Sequence, residues 1–393
     1  MPCTSGAAMR LLISAAVLAT LHGCATDVAD DDYSDETWSP PGAQDDVAAA
    51  LEDPALGEDP AAPPVATDDT DDPTEADEPI DSLAAPALTT FVNPVATGCA
   101  DPGVVRVEGA DGPTFWVACT GNGYPLYRSR DLVHWTAAGH IFHAATRPAW
   151  AGGNWWAPEI HHVGSGYVAY FAALSPARNK MCIGAATAPA VDGPWRDLGH
   201  PLVCDPHVGL IDPNMVTDAD GRHFLYYKTD SNALRPQEHT IIYGHELRAD
   251  GVGFVGARHR LLENTLGWEG DVVEAPWVIQ RGRYHYMFYS GFRYCNGTYG
   301  VGVARATSAL GPFHKRSAPI LHSNAAWTGP GHNAVVQAGG HRFLVYAAWH
   351  GAHACGGPGS RDLLLDPIGW RGGWPFVNDG TPSHGPRPRP QLP

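Results

Sequence analysis

Five times between residues 101 and 336, a short polar motif carrying a proline leads into an apolar run. The motifs are Asp101-Pro102-Gly103-Val104-Val105, Ala157-Pro158-Glu159-Ile160, Ile211-Asp212-Pro213-Asn214-Met215, Glu274-Ala275-Pro276-Trp277-Val278 and Gly329-Pro330-Gly331-His332-Asn333-Ala334-Val335-Val336. The prolines at 102, 158, 213, 276 and 330 are 56, 55, 63 and 54 residues apart. A period of this length marks one supersecondary unit copied around or along an axis. Glycines at 112, 166, 221, 282 and 340 then precede aromatic runs such as Thr114-Phe115-Trp116-Val117-Ala118 and Tyr284-His285-Tyr286-Met287-Phe288-Tyr289. Aromatic and β-branched runs bounded by glycine turns read as strands in hairpins. Later in the units a further pattern recurs, most plainly in Ala186-Thr187-Ala188 to Gly193-Pro194-Trp195 and Ala304-Arg305-Ala306 to Gly311-Pro312-Phe313.

Three or four short strands in about 55 residues is the content of one β-propeller blade. The chain is therefore expected to be all-β, a five-bladed β-propeller over residues 91–380. The first strand of each unit would be innermost, and the five motif starts would gather at one mouth. A two-sheet sandwich is the competing architecture, but it gives no reason for a fivefold period.

The charge is not spread evenly. Between Leu11 and Thr90 there is no Lys or Arg, and that stretch holds 20 of the 42 acidic residues. From Phe91 onward 22 acidic residues face 24 basic ones, so the overall −17 belongs to the N-terminal stretch. Residues 25–90, rich in Asp, Glu, Pro, Ala and Thr, cannot bury enough apolar surface to offset ordering entropy and read as a disordered acidic linker. Residues 1–24 read as a signal peptide, with Arg10 before an apolar run. They end in a lipobox-like Leu21-His22-Gly23-Cys24, which makes Cys24 a candidate for lipidation. Ordinary secretion with Cys24 incidental is the alternative, and translation from Met9 would give a cleaner signal. Residues 381–393 read as a Pro-rich C-terminal tail. The expected location is outside the cell, lipid-anchored to a bacterial envelope or secreted, with the membrane touched only through that anchor. No basic stripe marks the folded part, which argues against nucleic acid as a partner.

Six cysteines remain in the folded part: Cys99, Cys119, Cys182, Cys204, Cys295 and Cys355. Six allow 15 pairings. Cys99–Cys119 and Cys182–Cys204 each lie within one repeat, which leaves Cys295–Cys355; buried free thiols are the alternative. The absence of a CxxC pair argues against zinc.

Asp101, Glu159, Asp212, Glu274 and His332 are expected at corresponding places in their units, facing one cavity. Clustered carboxylates raise one another's pKa, so that one can stay protonated while another stays ionised. Hydrolysis of a glycosidic bond needs such a pair. Asp-Pro is also an ordinary turn signal, so any single motif is weak and the ordered set carries the argument. A calcium cluster is a second use for converging oxygens. Tryptophans lie beside the carboxylates: Trp150, Trp155 and Trp156 before Glu159, Trp268 and Trp277 around Glu274, and Trp327 before His332. Such rings serve either a core or a sugar face.

Residues 91–380 resemble glycoside hydrolase family 43, the five-bladed propeller arabinosidases and xylosidases. The resemblance rests on Ala100-Asp101-Pro102-Gly103-Val104, Trp156-Ala157-Pro158-Glu159-Ile160, Ile211-Asp212-Pro213, Trp268-Glu269-Gly270-Asp271-Val272-Val273-Glu274-Ala275-Pro276, Gly329-Pro330-Gly331-His332 and Arg361-Asp362-Leu363-Leu364-Leu365-Asp366. It implies Asp101 as general base, Glu274 as general acid and Asp212 as the residue that tunes and positions Glu274. Trp156, Glu159, Trp277, His332 and Arg361 would bind substrate. His332 would sit near the channel axis, where a calcium ion can be held through water; no organic cofactor is implied. The implied activity is inverting hydrolysis of α-L-arabinofuranosyl linkages in arabinan or arabinoxylan, as an α-L-arabinofuranosidase or endo-1,5-α-arabinanase. The implied partner is an arabinose- or xylose-containing plant cell-wall saccharide. A β-xylosidase and a non-catalytic glycan-binding propeller are the alternatives. A fructan hydrolase is disfavoured, because its Asp-Pro-Asn belongs to the first blade and Asp212-Pro213-Asn214 belongs to the third unit.

Overall fold

A computed structural model describes residues 90–351, 355 and 360–392. The signal peptide, Cys24 and nearly all of the acidic linker lie outside the described residues. Strand β1 (Thr90–Phe91) precedes five four-stranded sheets. Blade 1 is β2 (Gly103–Val107), β3 (Thr114–Ala118), β4 (Pro125–Ser129) and β5 (Thr136–His140). Blade 2 is β6 (Gly153–Val163), β7 (Gly166–Ser175), β8 (Lys180–Ala188) and β9 (Arg196–Asp197). Blade 3 is β10 (Leu210–Thr217), β11 (His223–Thr229), β12 (Ile241–Leu247) and β13 (Phe254–Glu263). Blade 4 is β14 (Val273–Arg281), β15 (Tyr284–Gly291), β16 (Gly300–Ala306) and β17 (His314–Lys315). Blade 5 is β18 (Trp327–Ala338), β19 (His341–His350), β20 (Arg361–Arg371) and β21 (Trp374–Val377), and β22 (Arg387–Pro388) follows. Each blade is an antiparallel meander in chain order. The first strands touch in a closed cycle, β2 to β6 to β10 to β14 to β18 and back to β2. The fold is the five-bladed propeller that the period predicts.

The second strand of each blade explains why its sequence is apolar on both faces. Successive strand residues point to opposite sides of the sheet. On β3, Phe115 and Val117 join the cluster shared with blade 5, while Trp116 and Ala118 join blade 2. On β7, Ala169 and Phe171 turn to blade 1, and Val168 and Tyr170 to blade 3. On β11 and β15 the same split repeats: Leu225 and Tyr227 pack toward blade 2, Phe224 and Tyr226 toward blade 4, and Met287 and Tyr289 back toward blade 3. A blade thus has no solvent face except its outer edge. Replacing one of these rings by Ala, as in Phe171→Ala, would cost roughly 3–5 kcal/mol.

The ring is closed by the segment before blade 1. Val95 donates its N–H to Leu363 O at 2.9 Å, and Leu363 donates to Ala96 O at 2.8 Å. The Asn93 amide accepts from Leu365 N at 2.9 Å and donates to Ser383 Oγ at 2.9 Å. Outside it, β1 pairs with β22, Thr90 opposite Pro388. The segment expected as a tail is therefore part of the body, and Leu392 packs against the core beyond β22. The cause is Asp366, a buried carboxylate that accepts from Tyr346, Asn378 and the Ser383 N–H. The disulfides are Cys99–Cys119, Cys182–Cys204 and Cys295–Cys355.

Candidate active site

Five non-glycine residues where the innermost strands begin or bulge hold positive φ: Asp101 (52°), Ala157 (47°), Asp212 (57°), Ala275 (52°) and His332 (48°). They define the structural repeat. In blades 1 to 4 the next residue is Pro102, Pro158, Pro213 or Pro276; in blade 5 it is Asn333, so Pro330 lies outside the register. In blades 2 to 5 the ladder slips at this point, between Trp156 and Glu159, Ile211 and Asn214, Glu274 and Trp277, and Gly331 and Ala334. A bulge of this kind bends the strand and re-aims its side chains. Each left-handed residue costs about 1–2 kcal/mol, and none of the five is β-branched, the class that suffers most.

The conformation is held by the preceding blade. Ala157 N–H donates to Thr120 Oγ1 (2.8 Å), Ala275 N–H to Asp212 Oδ2 (2.9 Å) and His332 N–H to Ser290 Oγ (2.8 Å). Only three of the five acidic or histidine residues therefore share one place: Asp101, Asp212 and His332. Glu274 stands one residue before its left-handed position and Glu159 two residues after. The expectation of five equivalent positions is corrected by this register, since a bulge shifts the facing of each residue around it.

Asp101 is tightly held. Its Oδ1 receives Arg361 Nη1 at 2.5 Å and lies 3.2 Å from His332 Nδ1, and its Oδ2 receives Thr120 Oγ1 at 2.7 Å. Burial alone would raise this carboxyl, but the charges of His332 and Arg361 and the Thr120 hydrogen bond outweigh it and hold Asp101 below the usual aspartate range. The residue is an ionised acceptor. Arg361 also donates to Gly331 O at 3.3 Å and lies over Tyr299 and Tyr294 at 5.6 and 5.5 Å.

Glu274 is clamped from two sides. Lys228 Nζ donates to Oε2 at 2.7 Å and Tyr299 Oη to Oε1 at 2.6 Å. Burial opposes ionisation here too, yet Lys228 and Tyr299 prevail and keep the carboxyl below the ordinary glutamate value. Asp212 behaves in the opposite way. Burial, and then the negative charges of Glu274 and Asp101, push it up to about 6 against the attraction of His332 and Lys228. Neighbouring like charges resist joint ionisation, so Asp212 is the carboxyl of the pair that takes up a proton first as pH falls toward 6.

Beneath this mouth, Glu159 is buried and bonded to His161 Nε2 at 2.8 Å and Asn214 Nδ2 at 2.9 Å. Burial raises its carboxyl, against the pull of His161 and Asn214. Asn214 also accepts from Val278 N–H at 2.8 Å, so one amide ties blades 2, 3 and 4. Both oxygens of Asp101 are engaged, and among the described residues no group of three or more His, Cys, Asp or Glu side chains is arranged to hold a metal ion. The side chains beside His332 thus do not form a direct calcium cage, and no step below runs through a metal.

The expected binders are placed unequally. Trp277 is 6% exposed and belongs to the core, against His161 at 6.2 Å. It lies two residues past a bulge, in the same layer as Glu159; neither is open to a ligand at the mouth. Trp156 is half-buried and packs with Met181, Ile211 and Leu174. It precedes Ala157 as Glu274 precedes Ala275, so it belongs to the mouth. Lys228, Tyr299, Thr120 and Asn214 were not expected. The one sequence signal for Lys228 is a cation ending an aromatic strand, in Phe224-Leu225-Tyr226-Tyr227-Lys228. Tyr299 sits in a loop whose register has no signal at all.

A sequence profile of Glycosyl hydrolases family 43 matches residues 91–375. The extracellular exo-α-(1→5)-L-arabinofuranosidase ArbA of Cellvibrio japonicus is 26% identical over 322 residues, covering 71% of this chain and 86% of that one. An arabinan endo-1,5-α-L-arabinosidase A of Aspergillus niger is 24% identical over 303 residues, covering 70% and 90%. The crystal structure of a thermostable family-43 glycoside hydrolase superimposes with a TM-score of 0.70 at 26% identity, covering 77% of this chain and all of that one. The match runs from the closing segment through all five blades and spans every residue of the mouth. With the propeller and its three converging carboxyls, this places the protein: it is a glycoside hydrolase and belongs to Glycosyl hydrolases family 43.

Proposed function

We propose that the protein hydrolyses α-L-arabinofuranosyl linkages of arabinan with inversion, as an arabinofuranosidase or endo-arabinanase. The observation that carries this reading is the division of labour among the carboxyls at one mouth. Asp101 is ionised and partly open, at 17% side-chain exposure, which suits a base that takes a proton from water. Glu274, at 12%, is also open and is the acid that protonates the leaving oxygen. Asp212 is buried and, pushed up to about 6, can hold below that pH the proton that the acid needs. The water attacks the anomeric carbon on the face opposite the leaving group, Asp101 takes its proton, and the bond to the leaving oxygen breaks as that oxygen is protonated. Inversion needs the two carboxyls about 6.5–9.5 Å apart, to leave room for water. Arg361 and Thr120 orient the base, and Trp156 supplies an apolar wall. The arabinan-directed names of the Cellvibrio and Aspergillus relatives support the substrate class.

We place the reaction outside the cell. Three disulfides suit an oxidising compartment, and the Cellvibrio relative is named as extracellular. Cys24 would carry a lipid anchor; palmitate labelling lost in Cys24→Ala is the check, and labelling that persists overturns it. The test of the activity is the product profile on linear 1,5-arabinan, arabinoxylan and xylo-oligosaccharides, with the anomer of the first product read by NMR. Arabinose or arabino-oligosaccharide released with inversion is expected. Xylose as the sole product, or retention, overturns the proposal.

A further inference from the structure

The chain contains three lysines against 22 arginines. Two of the three, Lys228 and Lys315, place their ammonium groups on carboxylates inside the protein, Glu274 and Glu269. The Lys315–Glu269 pair is accounted for by folding. Glu269 also accepts from the Thr265 and Leu266 N–H groups and from Tyr289 Oη, which shapes the loop before β14. Lys228 has no such scaffold role. Its side chain is 1% exposed, and its hydrogen bond goes to Glu274 alone.

The ladder shows how unusual this is. The residues paired with the position before each left-handed residue are Ala172 opposite Trp156, Lys228 opposite Ile211, Ser290 opposite Glu274 and Ala347 opposite Gly331. In blade 1 Thr120 donates its N–H to Ala100 O, which puts it in the same place. Thr120 and Ser290 use their hydroxyls to accept the bulge N–H of the next blade. In blade 3 that duty has passed to Asp212, which accepts from Ala275. Lys228 is left to grip the side chain of Glu274, and it is the one charged residue in its ring. A buried ammonium without a structural task, gripping the acid of a hydrolase, opposes the protonated form that an acid must have.

We infer that Lys228 is a positioning residue that hands the proton of the site from Asp212 to Glu274. This rests on the reading of Glu274 as the acid. In the free site Lys228 holds the Glu274 carboxylate, and below about pH 6 Asp212 carries the proton. A leaving oxygen brought against Glu274 Oε2 displaces the ammonium. The O–H proton of Asp212 passes to the Glu274 carboxylate, and Asp212 becomes the anion that Lys228 neutralises. One cation, one anion and one proton are present before and after, so the exchange leaves no uncompensated charge. Lys228 already lies in the fields of Asp212 and Asp230 as well as Glu274. The groups that bear on Glu274 are Lys228 and Asp230 from β11 and its end, Asp212 from β10, Tyr299 before β16, His332 from β18 and Arg361 from β20; β15 places neutral Ser290 opposite it.

The test uses the full chain with Lys228→Met and Lys228→Arg, assayed across pH on arabinan oligosaccharides and on a dinitrophenyl arabinofuranoside, whose leaving group needs no proton. Lys228→Met is expected to lower kcat on the oligosaccharide at least tenfold, to move the alkaline limb of kcat/KM upward by about one pH unit, and to change the dinitrophenyl substrate less than about threefold. Lys228→Arg is expected to keep the limb of the parent. An unmoved limb in Lys228→Met, or equal loss on both substrates, overturns the inference. If Lys228→Met fails to fold by circular dichroism, Lys228→Gln carries the same comparison. Glu274→Gln separates the two readings: if it retains parental activity on oligosaccharide, the acid assignment itself fails. If it is inactive and Lys228→Met behaves as the parent, only the role of Lys228 is lost.

Discussion

Ala275 donates its backbone N–H to Asp212 Oδ2 at 2.9 Å, so the carboxyl that shares charge with Glu274 is bonded to the residue directly behind it. The spacing of the two carboxyls is thereby set by main chain rather than by two free rotamers. Asp212→Asn keeps an acceptor for this bond and loses the proton store; Asp212→Ala loses both. Activity on arabinan should fall about 10²–10⁴-fold in Asp212→Asn and further in Asp212→Ala. Steady-state rates on oligosaccharides check this, and parental rates in Asp212→Asn would count against it.

The same substitution should stabilise the protein above neutrality. Asp212 rises from 3.8 unfolded to about 6 folded. A carboxyl raised in the fold adds stability below its unfolded value and loses it as pH climbs through the folded one. The melting temperature of Asp212→Asn relative to the parent should therefore increase between pH 4 and pH 7 and then level. Two units correspond to roughly 3 kcal/mol at most, and sharing with Glu274 brings the gain to on the order of 1–2 kcal/mol. A constant difference across that window would refute it.

Asp101 lies below the ordinary aspartate range because Arg361, His332 and Thr120 favour its charged form. The acid limb of kcat/KM, which reports the free base, should lie below the ordinary aspartate range in the parent. Arg361→Met should move that limb upward by about one unit or more, and Thr120→Val should move it less. An aryl arabinofuranoside assayed from pH 3 to 6 gives the answer.

Gly331 is required by a ring, not by its dihedral angle. A Cβ there would stand 2.1 Å from Tyr299 Cε1, and Tyr299 is the residue that donates to Glu274 Oε1. Gly331→Ala should push the ring aside, cost about 1–3 kcal/mol of stability and reduce kcat on arabinan. A crystal structure of the variant would show the Tyr299–Glu274 bond broken; an unmoved ring would contradict the argument.

The propeller was legible in the sequence because its unit is long and its punctuation is glycine and proline, which act locally. Asp101, Asp212 and Glu274 could be singled out as candidates because they neighbour those prolines. The register inside the motif was not legible. A bulge changes which residue faces the channel, and the sequence does not state that the left-handed position is the residue directly before the proline, Ala275 in one motif and Asp212 in the other. The prolines at 102, 158, 213 and 276 marked it correctly, whereas Pro330 misled because Asn333 occupies the proline place in blade 5. Lys228 and Tyr299 escaped for a different reason. Lys228 reaches Glu274 across the boundary between blades 3 and 4, and Tyr299 reaches it from the loop before β16 of the same blade; neither contact leaves a trace in local spacing. Trp277 shows the converse: three residues after Glu274 in sequence, it is buried by the pleat.

Thr90 and Pro388 face each other across the short ladder that seals the ring, and Asn93 is stitched to Ser383 beside them. The two ends of the folded chain meet at one seam, so topologically the body is a circle cut at an arbitrary point. A few flexible residues bridging that seam would allow the cut to be moved to another surface turn, such as the exposed Gly164-Ser165 between β6 and β7. The order of the five motifs along the gene would then change while the order around the axis would not.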